Sequence, residues 1–175
     1  MKLVRATLLL AMAAMSLPAA AALPVGAHAP EVKTMGALAG KAFRLDLAEQ
    51  LRHGPVVLYF YPKAFTQGCT LEAKAFADAM PQFRAAGARV VGLSADDLDT
   101  LKRFSKEACR NKFPVATASP ETIRAYDVVL KAKPELTDRT SYVIARDGRI
   151  VMVHSDLDWK EHVTKTLAAV RSLHK

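Results

Sequence analysis

Six consecutive residues, Val56-Val57-Leu58-Tyr59-Phe60-Tyr61, are apolar with no polar position between them. A strand with one wet face alternates polar and apolar side chains, whereas one that does not alternate is covered on both faces. This run therefore belongs in the middle of a sheet with helices on each side. Pro62 follows it, and a residue with no N–H and a fixed φ restricts the next loop.

The rest of the chain fits that placement. Strand-like stretches rich in Val, Ile, Tyr and Phe recur at 89–93, 113–116, 141–145 and 150–154. Helical stretches alternate with them. Residues 70–86 stop at Gly87, a natural C-cap, with Pro81 predicting a kink or break inside. Residues 96–109 open on acids and carry Leu98, Leu101 and Phe104 on one face. Residues 158–173 place Val163, Leu167 and Val170 on one stripe, and Arg146-Asp147-Gly148-Arg149 reads as a hairpin turn. The expectation is an α/β sandwich, a central mixed β-sheet flanked by helices. No repeat, low-complexity segment or linker interrupts 23–175, which reads as one domain.

Residues 1–22 read differently. Lys2 and Arg5 precede an apolar run over 6–17, and Ala19-Ala20-Ala21-Ala22 supplies an A-x-A cleavage site after Ala22. The run is short for a membrane span, which needs about 20 apolar residues. A secretory signal peptide is expected, with an uncleaved anchor as the competing reading. Export implies the bacterial periplasm, no stable membrane association after cleavage, and a compartment where two cysteines are able to pair. Losing Lys2 and Arg5 lowers the net charge from +8 to +6. The remaining basic residues are scattered singly rather than clustered with aromatics, which argues for a solvated surface and against nucleic acid.

Chemistry concentrates at Cys69, in Pro62-Lys63-Ala64-Phe65-Thr66-Gln67-Gly68-Cys69 directly after the buried run. A helix starting near Gly68–Cys69 aims unpaired N–H groups and the positive end of its dipole at the sulfur, favouring thiolate. Thr66 brings a hydroxyl within reach of the sulfur or a bound oxygen, Pro62 walls the site, and Gly68 permits close backbone approach. By this chain's composition about 0.006 chance matches to Pro-x-x-x-Thr-x-x-Cys are expected. The competing reading of Cys69 is a buried cysteine acting as a small hydrophobe.

The run 56–63 followed by Thr66-x-Gly68-Cys69-Thr70-x-Glu72 resembles the peroxiredoxins, specifically the bacterioferritin comigratory protein or peroxiredoxin Q group. Gly26-x-x-Ala29-Pro30, Gly92-Leu93-Ser94-Ala95-Asp96 and Arg139-Thr140-Ser141-Tyr142-Val143-Ile144 are similar to further family segments in the same order. The resemblance implies a thioredoxin-like fold and a thiol peroxidase without metal or organic cofactor. It implies that Cys69 is the peroxidatic cysteine, oxidised to sulfenic acid by hydrogen peroxide or organic hydroperoxides. Thr66 would orient the peroxide, Arg139 would stabilise the thiolate and the departing oxygen, and Pro62 would shield the pocket. On residue type alone, Arg139 reads as a solvated arginine at a strand start. The implied partners are peroxide and a thioredoxin-like or small-thiol reductant, with the protein a monomer or weak dimer.

The chain departs from the pattern in two places. Lys74 stands where many members of the group carry a resolving cysteine. Ala64-Phe65 and Gln67 make the rim around the threonine more apolar, which would suit bulkier hydroperoxides. Cys109 is the one internal candidate for a resolving thiol, although the resemblance places such a residue nearer Ser105. Three readings stay open: a resolving cysteine that requires local unwinding, a bystander in a one-cysteine enzyme, or a permanent structural disulfide. A bridge needs Cα atoms within about 7 Å, and a permanent one would consume the nucleophile. The five histidines show no metal-ligand spacing, His162 and Asp158 are expected on the exposed face of the last helix, and Trp159 against the core. Rival functions are a non-catalytic binding module such as a metal chaperone, whose C-x-x-x-C is missing because residue 73 is Ala, and a thiol–disulfide oxidoreductase, whose C-x-x-C is absent.

Overall fold

The computed structural model describes residues 22–173; the expected signal peptide, 1–22, lies outside them except for its last position. Seven strands form one sheet: β1 (Lys33–Leu38), β2 (Lys41–Asp46), β3 (Val56–Phe60), β4 (Arg89–Ser94), β5 (Val115–Thr117), β6 (Thr140–Ile144) and β7 (Ile150–Ser155). Their spatial order is β2-β1-β5-β4-β3-β6-β7. The sheet is mixed, because β3 runs parallel to β4 and antiparallel to β6. The helices are α1 (Leu47–Arg52), α2 (Gln67–Ala85), α3 (Leu98–Glu107), α4 (Pro120–Ala125) and α5 (His162–Ser172).

All five residues of β3 are buried, and their alternation divides them between two cores. Val57 and Tyr59, with Tyr61 just beyond the strand, face Phe76 and Phe83 of α2, Leu101 and Phe104 of α3 and Val170 of α5. Val56, Leu58 and Phe60 face Leu47 and Leu51 of α1, Ile123 of α4, Tyr126 and Tyr142. Each large side chain buried this way contributes about 1.5–3 kcal/mol, so the strand has no register in which it could turn a face to water. Tyr59 pairs with Gly92 on β4, and a Cβ at Gly92 would lie 2.8 Å from the Tyr59 ring. Glycine there lets the ring lie across the neighbouring strand.

Three expectations change. Helix α2 begins at Gln67 and runs unbroken through Pro81. Proline removes one donor, but Pro81 is exposed while Phe76, Ala77, Met80 and Phe83 tie the helix to the core on both sides of it. Helix α3 starts at Leu98 under an Asp97 cap and ends at Glu107, so Cys109 falls in the turn beyond it. His162 opens α5 fully buried rather than on its exposed face, because its ring is drawn inward by partners on β6 and after β7. Asp158 is exposed as expected, and Trp159 is half-buried in a short 3-10 turn, Trp159–Glu161.

Strands β1 and β2 and helices α1 and α4 leave no clear pattern in the sequence. The hairpin of β1 and β2 turns at Ala39-Gly40, both with positive φ, at the edge of the sheet where burial leaves little apolar signal. Helices α1 and α4 are each six residues long, announced only by the caps Asp46 and Ser119-Pro120. The expected hairpin at 146–149 joins β6 to β7, with Gly148 at φ +84°. Gly87 stops α2 in a left-handed conformation, its N–H bonding the Arg84 carbonyl at 2.9 Å.

Candidate active site

Residues 61–66 carry the chain from the buried end of β3 to the first turn of α2, and the core holds them from several sides. The Tyr61 N–H donates to the Leu93 carbonyl at 3.0 Å, and the Thr137 hydroxyl donates to the Tyr61 carbonyl at 2.7 Å. Asp96 Oδ2 accepts from the Ala64 N–H at 2.7 Å and from the Ser94 hydroxyl at 2.8 Å. Phe65 adopts φ +64°, a conformation that costs a bulky residue about 1–3 kcal/mol. The strain persists because the ring stands edge-on to Phe104 at 5.2 Å, with the Arg103 guanidinium over its face. Pro62 is half-buried and Phe65 exposed, so the rim is apolar on its outer side.

Thr66 is the N-cap residue of α2, in extended backbone conformation, and its hydroxyl donates to the Lys63 carbonyl at 2.9 Å. Its side chain does not cap the helix. Cys69 is thus the third residue of the helix, within the turn whose N–H groups lack intrahelical partners. Cys69 is 2% exposed. The helix end favours negative charge at that point.

Arg139, one residue before β6, supplies the full positive charge. Its Nη2 donates to Cys69 Sγ at 3.5 Å, its Nη1 donates to Glu72 Oε2, and its Nε donates to the Leu157 carbonyl at 2.9 Å. Three bonds in three directions fix the guanidinium plane. Burial works against its charge, but Glu72 and Cys69 outweigh burial and hold it protonated, raised above its usual value. The group is 5% exposed, so the surface arginine that residue type suggests is instead a buried one. A cleft of about 520 Å³ opens beside it, where Val129, Leu130, Ala132 and Leu157 alternate with charged Asp127, Lys131, Asp138 and Asp156.

Glu72 went unassigned in the sequence, although its spacing from Cys69 puts both on one helix face. It is fully buried. Burial pushes its carboxyl up to about 8 against the pull of Arg139. Beyond it lies His162, whose Nε2 meets the Asp156 carbonyl at 2.9 Å and whose Nδ1 meets Ser141 Oγ at 2.8 Å. A carbonyl only accepts, so Nε2 carries the hydrogen and Nδ1 accepts from the Ser141 hydroxyl. Burial lowers His162 to about 4, which keeps it neutral. Trp159 and Gly68 complete the wall: a Cβ at Gly68 would lie 3.2 Å from Arg139 Nη2 and 3.8 Å from the Trp159 ring.

Cys109 is a free, fully buried thiol, as Cys69 is free. Burial raises it strongly and leaves it inert where it stands. Both sulfurs belong to the same core and both oppose ionisation of Tyr59 and Tyr61. Arg110 and Asn111, directly after Cys109, hold positive φ values of 53° and 59°. Among the described residues no group of three or more His, Cys, Asp or Glu is placed to hold a metal ion. The structure therefore brings Cys69, Arg139 and Glu72 together, sets Thr66 and Pro62 on the rim, and leaves Cys109 in the core behind them. Such a set supports nucleophilic attack by sulfur with a fixed cation beside the charge that moves.

Sequence and fold are similar to those of known proteins. The sequence profile described as the AhpC/TSA family matches residues 25–153. A chloroplastic peroxiredoxin Q of Populus jackii is 33% identical over 148 residues, covering 83% of this chain and 68% of its own length. A chloroplastic peroxiredoxin Q of Sedum lineare is 35% identical over 123 residues, 68% of this chain, and the match spans 64% of that relative, under two thirds of its length. The crystal structure of peroxidoxin BcpB from Mycobacterium tuberculosis superimposes with a TM-score of 0.77 and 29% identity, covering 86% of this chain and 98% of that one.

Proposed function

This chain belongs to the AhpC/TSA family, in its peroxiredoxin Q group, and from that premise we propose that it is a thiol peroxidase whose nucleophile is Cys69. The observation that carries the reading is the Arg139 Nη2 contact to Cys69 Sγ at the buried N-terminus of α2. In the proposed reaction the Cys69 thiolate attacks one peroxide oxygen. The S–O bond forms as the O–O bond breaks, the sulfur becomes a sulfenic acid, and the departing alkoxide or hydroxide leaves as alcohol or water after taking a proton. Arg139 is placed to hold negative charge on the sulfur first and on the departing oxygen next. Thr66, with its hydroxyl at the rim, orients the peroxide, and Pro62 limits water at the sulfenic acid. The exposed Phe65 at the rim supports organic hydroperoxides among the substrates.

Recycling requires two electrons from a thiol. In this reading Cys109 attacks the sulfenic sulfur, forms a disulfide and releases water, and a thioredoxin-like or small-thiol donor reduces the bridge. Its burial requires the turn after α3 to open first, and the paired left-handed residues Arg110 and Asn111 favour opening because strain is released there. The leader-like residues 1–22 support action in the periplasm.

One titration tests both steps. The protein without residues 1–22 is treated with one equivalent of hydrogen peroxide and analysed by mass spectrometry and non-reducing gel. Thiol loss at Cys69 much faster than in free cysteine, abolished in Cys69→Ser, is expected, followed by a Cys69–Cys109 bridge. A wild-type rate equal to that of free cysteine overturns the peroxidase reading. A stable sulfenic acid with Cys109 still free overturns only the resolving role.

A further inference from the structure

Glu72 Oε1 is fully buried and has no hydrogen-bond partner. It faces His162 Nδ1 at 3.7 Å, and that nitrogen carries a lone pair rather than a hydrogen. Two acceptors facing each other in a dry site repel, and Oε1, unlike Nδ1, which accepts from Ser141 Oγ, is left unsatisfied at a cost of about 1–3 kcal/mol. A proton resident on one of them turns the contact attractive. The other oxygen of the same carboxyl is bonded to Arg139 Nη1, and Arg139 Nη2 is bonded to the reacting sulfur. A charge change at Glu72 is therefore felt at Cys69 through one rigid guanidinium.

We propose that Glu72 and His162 form a buried proton-holding pair, positioning residues that set the pH response of the Cys69 reaction through Arg139. This rests on the thiol peroxidase reading and adds to it a group that never touches peroxide. With the proton in place, Arg139 faces the sulfur without a rival anion. When the pair gives the proton up, the Glu72 carboxylate claims the guanidinium charge, and less of it is left for the oxygen that departs from the peroxide.

The surroundings single out which group changes. Glu72 is faced by Cys69 on its own helix, Arg139 before β6, Tyr59 on β3 and His162 on α5. His162 is faced in turn by His154 on β7, its ring tilted by 54° with centroids 4.6 Å apart, by Asp156 and by Arg139. Arg139 stays charged, and Tyr59 is raised well above its usual value, so neither changes near neutral pH. His162 is lowered to about 4 and is neutral there, whereas Glu72, raised to about 8, gives up its proton just above neutrality.

The test is the bimolecular rate of Cys69 thiol loss to hydrogen peroxide from about pH 6 to about pH 10, either side of that value. Wild-type protein is expected to slow on the alkaline side. Glu72→Gln, which cannot ionise, loses that decline whatever its absolute rate, and His162→Gln shifts its midpoint. A Glu72→Gln profile that keeps the wild-type shape and is merely scaled down overturns the proposal, since a structural role would do that. If Glu72→Gln does not fold, carboxyl-labelled Glu in the wild-type protein decides by NMR. A Glu72 resonance that titrates above pH 7 supports the pair, and one already ionised at pH 6 overturns it. Absence of peroxide-dependent thiol loss at every pH would remove the peroxidase reading, and the NMR titration would still decide the proton pair.

Discussion

Gly68 shows how closely single residues are set around the sulfur. It lies within the first turn of α2 with ordinary backbone geometry, so alanine there improves helix propensity by about 1 kcal/mol. The added Cβ would stand 3.2 Å from Arg139 Nη2 and push the guanidinium by a few tenths of an ångström. Gly68→Ala is therefore expected to raise the urea midpoint while lowering the peroxide rate about 3- to 10-fold, since small misplacements of a charge-stabilising group are costly. An unchanged or faster rate, measured by stopped-flow thiol loss, would show that Arg139 tolerates the shift. Cys69, Thr66 and Pro62 were legible in the sequence because they stand within eight residues of one another. Arg139 was reached only through the family resemblance and Glu72 was given no role, because the strand and the helix face that carry them meet only on folding. His162 was misread because its helix looked amphipathic, while the polar partners Ser141 and Asp156 that bury it lie elsewhere in the chain.

Among elements, α2 carries the chemistry and pays for an internal proline. Pro81 is exposed and lacks the N–H that would bond the Ala77 carbonyl. Pro81→Ala is expected to stabilise the fold by about 1–3 kcal/mol, read as a higher urea midpoint with an unchanged slope. Destabilisation would mean that the proline fixes a bend the core requires. The elements visible in the sequence were those with a strong apolar pattern: β3, β4, β6, β7, α2, α3 and α5, with β5 expected at 113–116 and found at Val115–Thr117. The hairpin of β1 and β2 and the short α1 and α4 were not, because an edge strand or a six-residue helix buries too few side chains to leave a pattern. The turn after α3 was also beyond sequence reasoning. Its left-handed Arg110 and Asn111 are conformations that neither residue type demands.

For the molecule as a whole, two buried groups shape stability against pH in opposite senses. Glu72 rises from 4.5 to about 8 on folding, so the folded state binds the extra proton. Its contribution is complete below 4.5 and is lost as pH rises towards 8. His162 falls from 6.5 to about 4, so its contribution is complete above 6.5 and is lost as pH falls towards 4. Between about 4.5 and 6.5 the slopes cancel, and from 6.5 to 8 stability is expected to decline. Urea midpoints taken across this range check the sign, and Glu72→Gln should flatten the upper limb. A midpoint that rises between pH 6.5 and 8 would contradict the burial of a protonated Glu72.

The sequence by itself determined the central strand, the sandwich around it and the place of Cys69 at the strand-to-helix junction, since local periodicity and a short motif carry that information. Only the tertiary structure decided what surrounds the sulfur. Glu72, the segment from Arg139 to Ser141, and His162 lie far apart in the chain, and burial fixes the charge state of Glu72 and His162. A buried charge state depends on which partners and how much solvent remain after folding, and that is a property of the packed core.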